Sequence, residues 1–293
     1  MFEIVKTASG YATTPTILVT FNGTNGANPA GGLIADASGN LFGTTTQGGA
    51  NSMGTVFEIA KTASGYATTP TILVSFDGTN GANQQSSLIF DANGNLFGTT
   101  AAGGPDSVGT VFEIVKTASG YATTPTILVT FNGTNGAYPY SSLLADANGN
   151  LFGTTNAGGA YGDGNVFEIV KTATGYATTP TILVTFNGTN GASPHPSPIA
   201  DASGNLFGTT YYGVTPSACE TSENAGCGTV YEITGSGFVP LKAFAGTPGK
   251  ANCYGQSVSA LTKQYGGLNN AAAALGYLNV SALQNAIEAY CEA

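Results

Sequence analysis

The chain has 293 residues, 42% of them hydrophobic and only 8% charged, with 43 glycines, no Trp and a formal charge of −9. All 7 basic residues are lysines and they form no cluster, which excludes phosphate-based recognition of nucleic acid. The hydrophobic share excludes a solvated disordered chain, and no apolar run approaches the ~18 residues that a membrane helix needs.

Internal periodicity dominates what remains. Phe2, Phe57, Phe112 and Phe167 each open the phrase Phe-Glu-Ile-(Val/Ala)-Lys-Thr-Ala at a spacing of 55, and Tyr231 opens a further copy after a spacing of 64. The extra residues fall in the stretch Tyr211–Cys227. One period contains four strand-like segments rich in β-branched and aromatic residues. In the second period these are A (Leu88–Asp91), B (Asn95–Thr100), C (Thr110–Lys116) and D (Thr126–Phe131). The turn Asp-Ala-(Ser/Asn)-Gly-Asn, as at Asp91–Asn95, suits a hairpin between A and B with glycine in the left-handed position. The link Thr117–Pro125 reads as a longer hairpin between C and D. Segment D, Ile-Leu-Val-Thr-Phe, is almost continuously apolar and is expected to be covered on both faces.

These features predict an all-β fold: a β-propeller-like array of four-stranded repeats with a short C-terminal α-helical tail. A β-solenoid is the alternative, although its coils are usually much shorter. The expected organisation is a repeat domain over 1–246 and a small helical cap over 247–293. The chain opens with C and D only (Phe2–Phe21) and continues through four A–D sets ending near Phe244, so four full blades and a partial one are expected. The open half-blade presents an edge suited to pairing with another chain.

The unit Gly-Thr-Val-Phe-Glu-Ile … Ile-Leu-Val-Thr-Phe-Asn-Gly-Thr-Asn-Gly-Ala … Asp-Ala-Ser-Gly-Asn-Leu-Phe-Gly-Thr-Thr resembles the GloVer ("choice-of-anchor") tandem repeat family over about residues 1–245. Its most specific part is Asp-x-x-Gly-Asn-Leu-Phe-Gly-Thr-Thr, as at Asp91–Thr100. The resemblance implies a secreted or surface-displayed bacterial repeat protein without assigned catalytic residues. The first residues already read as strand, so no export signal is expected within the sequence.

From Thr247 the pattern turns helical, with Val258/Leu261/Tyr265 and Leu283/Ile287/Tyr290 as apolar stripes. Four late cysteines bracket two segments, and the preferred pairing is Cys219–Cys227 with Cys253–Cys291. Disulfides imply an oxidising compartment, in agreement with an extracellular or cell-surface location. The cysteine spacing does not suit zinc.

Little of the sequence suits catalysis. His195, the single histidine, lies between Pro194 and Pro196 with no nucleophile motif in sight. The recurring Glu3, Glu58, Glu113, Glu168 and Glu232 are expected to make structural pairings rather than a catalytic ring. The Asp turns lack the glycine and glutamate positions of a calcium loop, so neither a metal nor a cofactor is expected. Differences between the repeats are more telling. They gather in the D-to-A link (Asn28-Pro29-Ala30, Asn83-Gln84-Gln85, Tyr138-Pro139-Tyr140, Ser193-Pro194-His195) and in the B-to-C link that starts at Thr46, Ala101, Asn156 and Tyr211. In an up-down meander both links emerge on one face. Tyr138, Tyr140, Tyr161, His195, Tyr211 and Tyr212 are therefore the candidate binding residues, suited to stacking on sugar rings or holding a peptide. Glycans or surface proteins are the expected partners, with self-association through the incomplete N-terminal blade as the alternative role.

Overall fold

A computed structural model describes residues 1–7, 10–213 and 227–240, with residues 256–259, 261–262, 267–274, 280–281, 283–285 and 287 of the tail. The repeat region is all-β. In the second unit Ile89–Phe90 (A), Leu96–Thr100 (B), Thr110–Ile114 (C) and Thr126–Thr130 (D) form one antiparallel sheet in the order A-B-C-D. The first and third units repeat this order, and the opening half-unit pairs Phe2–Glu3 with Thr16–Ile17. The link between C and D carries its own short ladder, Lys116–Thr117 against Gly120–Tyr121.

Segment D is covered on both faces over its apolar run, Ile127 packing with the front cluster and Val129 and Phe131 with the back. Segment B is covered along its whole length: every residue of Leu96–Thr100 is buried, whereas D has Thr126 exposed and Ile127 half-buried. The reason is position: B lies between A and C, while D is the outer strand. Register then dictates composition. Gly98 stands opposite Phe112, and a Cβ on Gly98 would lie 2.7 Å from Phe112 Cζ. The phenylalanine ring lies across the glycine. Gly43 with Phe57 and Gly153 with Phe167 repeat the arrangement.

Each unit presents a front face to its predecessor and a back face to its successor, because alternate residues of a strand point to opposite sides. The back of the first unit (Phe42, Val56, Val74, Phe76) packs against the front of the second (Leu88, Leu96, Phe112, Ile114) in one buried cluster. The back of the second (Phe97, Val111, Val129, Phe131) meets the front of the third (Leu143, Leu151, Phe167, Ile169) in the same way. At the successive junctions Phe21 meets Phe57, Phe76 meets Phe112, Phe131 meets Phe167 and Phe186 meets Tyr231, with ring centroids 5.1–5.3 Å apart. Tyr121 also reaches back to the ring of Phe42 at 5.4 Å, and Tyr176 to Phe97 at 5.5 Å.

The start of segment A adds direct hydrogen bonds between units. The Gly32 N–H donates to Ser87 Oγ (2.8 Å), the Ser87 N–H to Ser142 Oγ (2.9 Å), and Ser197 Oγ to the Ser142 carbonyl (2.8 Å). Thr44 and Thr99 hydroxyls donate to the carbonyls of Ser86 and Ser141 in the next unit at 3.2 and 2.9 Å.

In the fourth set Ile199–Ala200, Leu206–Tyr212 and Thr229–Ile233 form A, B and C. Phe238 follows Gly237 as Tyr121 follows Gly120 and Tyr176 follows Gly175, and it packs on Phe152, 5.1 Å between centroids, in the place of those tyrosines. The Val239 N–H donates to Asp146 Oδ2 (3.3 Å) and its carbonyl accepts from the Ala147 N–H (2.9 Å). The rest of the expected D segment lies outside the described residues.

In the tail, helix α1 (Leu268–Ala274) supplies Asn270, whose Nδ2 donates to the Ala92 carbonyl at 2.8 Å. Leu261, Ala271, Ala272, Leu283 and Ile287 form a small buried cluster with Ala92 packed against it. Among the described residues the tail meets the A–B turn of the second unit, through Asn270 and the cluster packed on Ala92. Tyr265, Tyr290, Cys219, Cys253 and Cys291 lie outside the described residues, so the expected cysteine pairing does too. Cys227 is exposed just before Thr229–Ile233.

Two internal comparisons identify weak points. Thr45–Thr55, Thr100–Thr110 and Thr210–Thr229 each share a hydroxyl hydrogen bond of 2.8–2.9 Å. The third unit has Asn165 in that place, buried, with neither amide atom bonded. Gln84 is buried and unbonded where the other units have Pro29, Pro139 and Pro194. A desolvated, unpaired polar group costs about 1–3 kcal/mol. Asn165→Thr is expected to restore the shared hydroxyl bond, and Gln84→Pro to remove the amide while restricting the unfolded chain. Each should raise Tm by roughly 2–8 °C in differential scanning calorimetry.

Candidate functional site

The two expected loop sets do share one face, and backbone hydrogen bonds interlock them. In the first unit Ala27–Pro29 pairs with the end of B, Ala27 opposite Gln47 and Pro29 opposite Thr45. In the fourth, Ala192 stands opposite Tyr212 and Pro194 opposite Thr210. The D–A link also reaches the B–C loop of the unit before. The N–H groups of Asn83, Tyr138 and Ser193 donate to the carbonyls of Met53, Val108 and Asp163 at 2.8–3.0 Å. The loops are therefore fixed by their own backbones, which leaves their side chains free to differ.

Aromatic residues accumulate towards the later units. Tyr140 and His195 occupy the same place in successive D–A links, where the earlier units have Ala30 and Gln85. Their rings stack nearly parallel, centroids 4.9 Å apart and planes 6° apart. Tyr211 and Tyr212 meet edge to face at 4.7 Å. The pairing of Ala192–Pro194 with Leu206–Tyr212 sets that pair alongside the link that carries His195. Tyr161 projects into solvent from the B–C loop of the third unit, the loop whose Asp163 accepts the Ser193 N–H. The structure brings Tyr140 to His195 and Tyr211 to Tyr212; Tyr138 and Tyr161 make no ring contact with either pair among the described residues.

Tyr138 carries a signal that sequence spacing does not reveal. Its φ is +56°, a left-handed backbone shared by Asn28, Asn83 and Ser193 at the same place. Small polar residues tolerate this conformation, whereas a bulky ring there is uncommon. The residue remains 39% exposed, so its hydroxyl-bearing side chain is open to a ligand on the loop face.

The opposite face carries the turns that hardly vary. Asp91 Oδ1 accepts the N–H groups of Asn93 and Asn95 at 2.9 Å, and its Oδ2 accepts Asn95 Nδ2 at 3.1 Å. Gly94 takes φ +81° to close the turn, and Asn95 Oδ1 accepts the Lys116 N–H at 2.9 Å. Both carboxylate oxygens serve the hairpin, which explains why Asp, Gly and Asn recur together. In the second unit the repeated glutamate has an amide partner: Asn95 Nδ2 donates to Glu113 Oε1 at 2.9 Å. A shallow cleft between the first two units, lined by Asp36, Asp91, Lys116 and Asn270, lies on this face and was not foreseen from sequence.

Burial pushes the carboxyls of Glu58, Glu113 and Glu168 above the usual glutamate range, with the neighbouring Asp36, Asp91 and Asp146 adding to the effect. Lys116 opposes it at Glu58 and Lys171 at Glu113, in each case from the next unit. Burial also pushes the Tyr231 hydroxyl up to about 12.

The geometry defines the class: a tandem array of four-stranded antiparallel units with a rigid turn face and a variable, aromatic-bearing loop face. The family model described as the Gloeobacter/Verrucomicrobia repeat matches residues 4–126 and 120–277, and the chain belongs to that family. No curated protein sequence matches it. Among solved structures it is similar to a luciferin-regenerating enzyme at 18% identity and TM-score 0.40, covering 72% of this chain and 62% of that one. It is also similar to an α-L-arabinofuranosidase from Podospora anserina in complex with cellotriose (12% identity, TM-score 0.36, 73% and 67% covered). A polysaccharide lyase of the ulvan lyase type is a third (11%, 0.34, 67% and 46%). The chain spans about three-fifths of the luciferin-regenerating enzyme. Likenesses this distant bear on neither activity nor the arrangement of units.

Two predictions follow from these faces. Tyr138→Asn should stabilise the chain by about 1 kcal/mol, read as a raised midpoint in urea, since asparagine accepts a positive φ more readily. Glu113 binds its proton more tightly folded than unfolded, so its contribution is complete below the ordinary glutamate range. That contribution is lost as pH rises through the raised value. Glu113→Gln should therefore raise Tm at pH 7–8, with the gain over wild type vanishing as pH falls below about 4.5.

Proposed function

We propose that the protein is a non-catalytic binding or adhesion scaffold of the cell surface or extracellular space, with its ligand held on the loop face where the third and fourth units meet. The observation that carries this reading is the Tyr140–His195 stack beside the Tyr211–Tyr212 pair, on loops fixed by backbone bonds. Aromatic rings held rigidly at the surface, His195 and Tyr211 exposed and Tyr140 and Tyr212 half-buried, offer contact area at low entropic cost, the property that sugar rings and peptides exploit. His195 faces an aromatic ring rather than a nucleophile or a carboxylate, which favours binding over catalysis. The units form blades of a propeller-like array on this reading. The Gly32–Ser87–Ser142–Ser197 column supports it, because hydrogen bonds between equivalent positions of neighbouring units occur at the start of A, as expected of an inner edge.

An extracellular location rests on the family and on the expected Cys219–Cys227 and Cys253–Cys291 pairs. Peptide mapping without reduction should recover both pairs, and four alkylatable thiols would oppose the location. A panel of bacterial and plant glycans tests the function. Binding by the oxidised chain should fall at least tenfold in Tyr140→Ala and in Tyr212→Ala, with Tm little changed. Absence of binding across the panel, or binding indifferent to both changes, would overturn the loop-face reading.

A further inference from the structure

Each A–B turn leaves one donor and one acceptor unused by the turn itself. Asp36 Oδ1 accepts the N–H groups of Ser38 and Asn40 at 2.9 Å, and its Oδ2 accepts Asn40 Nδ2 at 3.0 Å. The turns at Asp91 and Asp146 repeat these bonds. In none of the three does the N–H of the following alanine bond within the turn. That N–H stands next in sequence to a carboxylate oxygen that can accept a further bond.

The third unit shows what the pair holds. The Val239 N–H donates to Asp146 Oδ2 at 3.3 Å and its carbonyl accepts the Ala147 N–H at 2.9 Å. One residue exchanges both bonds with the turn, as a strand residue does in an antiparallel ladder. The contact is not part of the repeat. The counterparts of Val239 are Ala122 and Ala177, whose N–H groups bond the carbonyls of Val115 and Val170 within their own links. The segment runs between neighbouring turns, since a Cβ on Gly204 would lie 2.3 Å from the Phe238 carbonyl oxygen. Beneath it Asp146 is only 4% exposed.

Between the first and second units the equivalent place is an open cleft. Ala37 is exposed, its N–H has no partner among the described residues, and Asp36 is half-buried. Asp36 and Asp91 line the cleft against a single cation, Lys116, which leaves it net acidic.

We propose that this cleft binds an extended peptide segment of a partner, clipped at one residue by Asp36 Oδ2 and the Ala37 N–H, with a basic side chain beside the clipped residue. Val239 on the turn of the third unit is the internal precedent for the backbone bonds, and the two carboxylates favour the basic side chain. The site lies on the turn face and does not depend on what the loop face binds.

The probe is acetyl-Ser-Gly-Ala-Val-Pro-Leu-Lys-amide, the sequence of residues 236–242 with alanine for Phe238, because Tyr121 already covers Phe42. Titrated to about 5 mM into the full-length, 15N-labelled chain, it should shift the amide signals of Ala37, Ser38 and Gly39. Ala37→Pro removes the N–H at a turn position that proline suits, and should weaken binding about fivefold with Tm little changed. A peptide with N-methylvaline, which lacks the donor for Asp36, should lose binding to the unaltered protein to a similar degree, and one with glutamate for lysine should bind more weakly still. The proposal is overturned if no shift appears at Ala37–Gly39, if shifts are confined to the loop face, or if binding is indifferent to both Ala37→Pro and N-methylation. A glutamate peptide that binds as well as the lysine peptide overturns the basic preference.

Discussion

The structure depends on an aromatic ring laid over a glycine. In every complete unit the glycine of Leu-Phe-Gly-Thr-Thr stands opposite the ring of segment C, and no side chain fits between them. That ring then receives the phenylalanine at the end of the preceding D segment. One register pair inside a sheet therefore sets the contact between sheets. Slipping the register by one residue would turn every side chain of B to the other face and break both contacts together. This coupling accounts for the near identity of the repeats at these positions.

The fixed core and turns make a variable face affordable. Because Asp91, Gly94 and Asn95 close one end of each sheet through local bonds, that end tolerates little change. At the other end the links are held by backbone groups, which any residue supplies, so their side chains vary without loss of the scaffold. Solenoid-like arrays commonly separate stability and recognition in this manner. Tyr138 shows the separation under tension, with a ring placed where backbone conformation favours a smaller residue.

The sequence by itself determined the unit. Spacing, the Asp-x-x-Gly-Asn turn and the β-branched runs gave the four segments and their antiparallel order, since period-2 patterning and turn chemistry are local properties. The variable face was legible for the same reason: comparing copies inside one chain singled out Tyr140, His195, Tyr211 and Tyr212, and the structure joins them in two ring pairs. Only the tertiary structure decided how far along its length each strand is covered. Segment D is packed on both faces, as its apolar run suggests, and B is buried from end to end because it lies between A and C while D is the outer strand. Phe238 stands after Gly237 as the tyrosines stand after Gly120 and Gly175, and the structure shows what that position does: its ring covers a phenylalanine of the unit before. The left-handed backbone at Tyr138 belongs to the same group, since the path of the link, shared by Asn28, Asn83 and Ser193, sets it rather than the residue type.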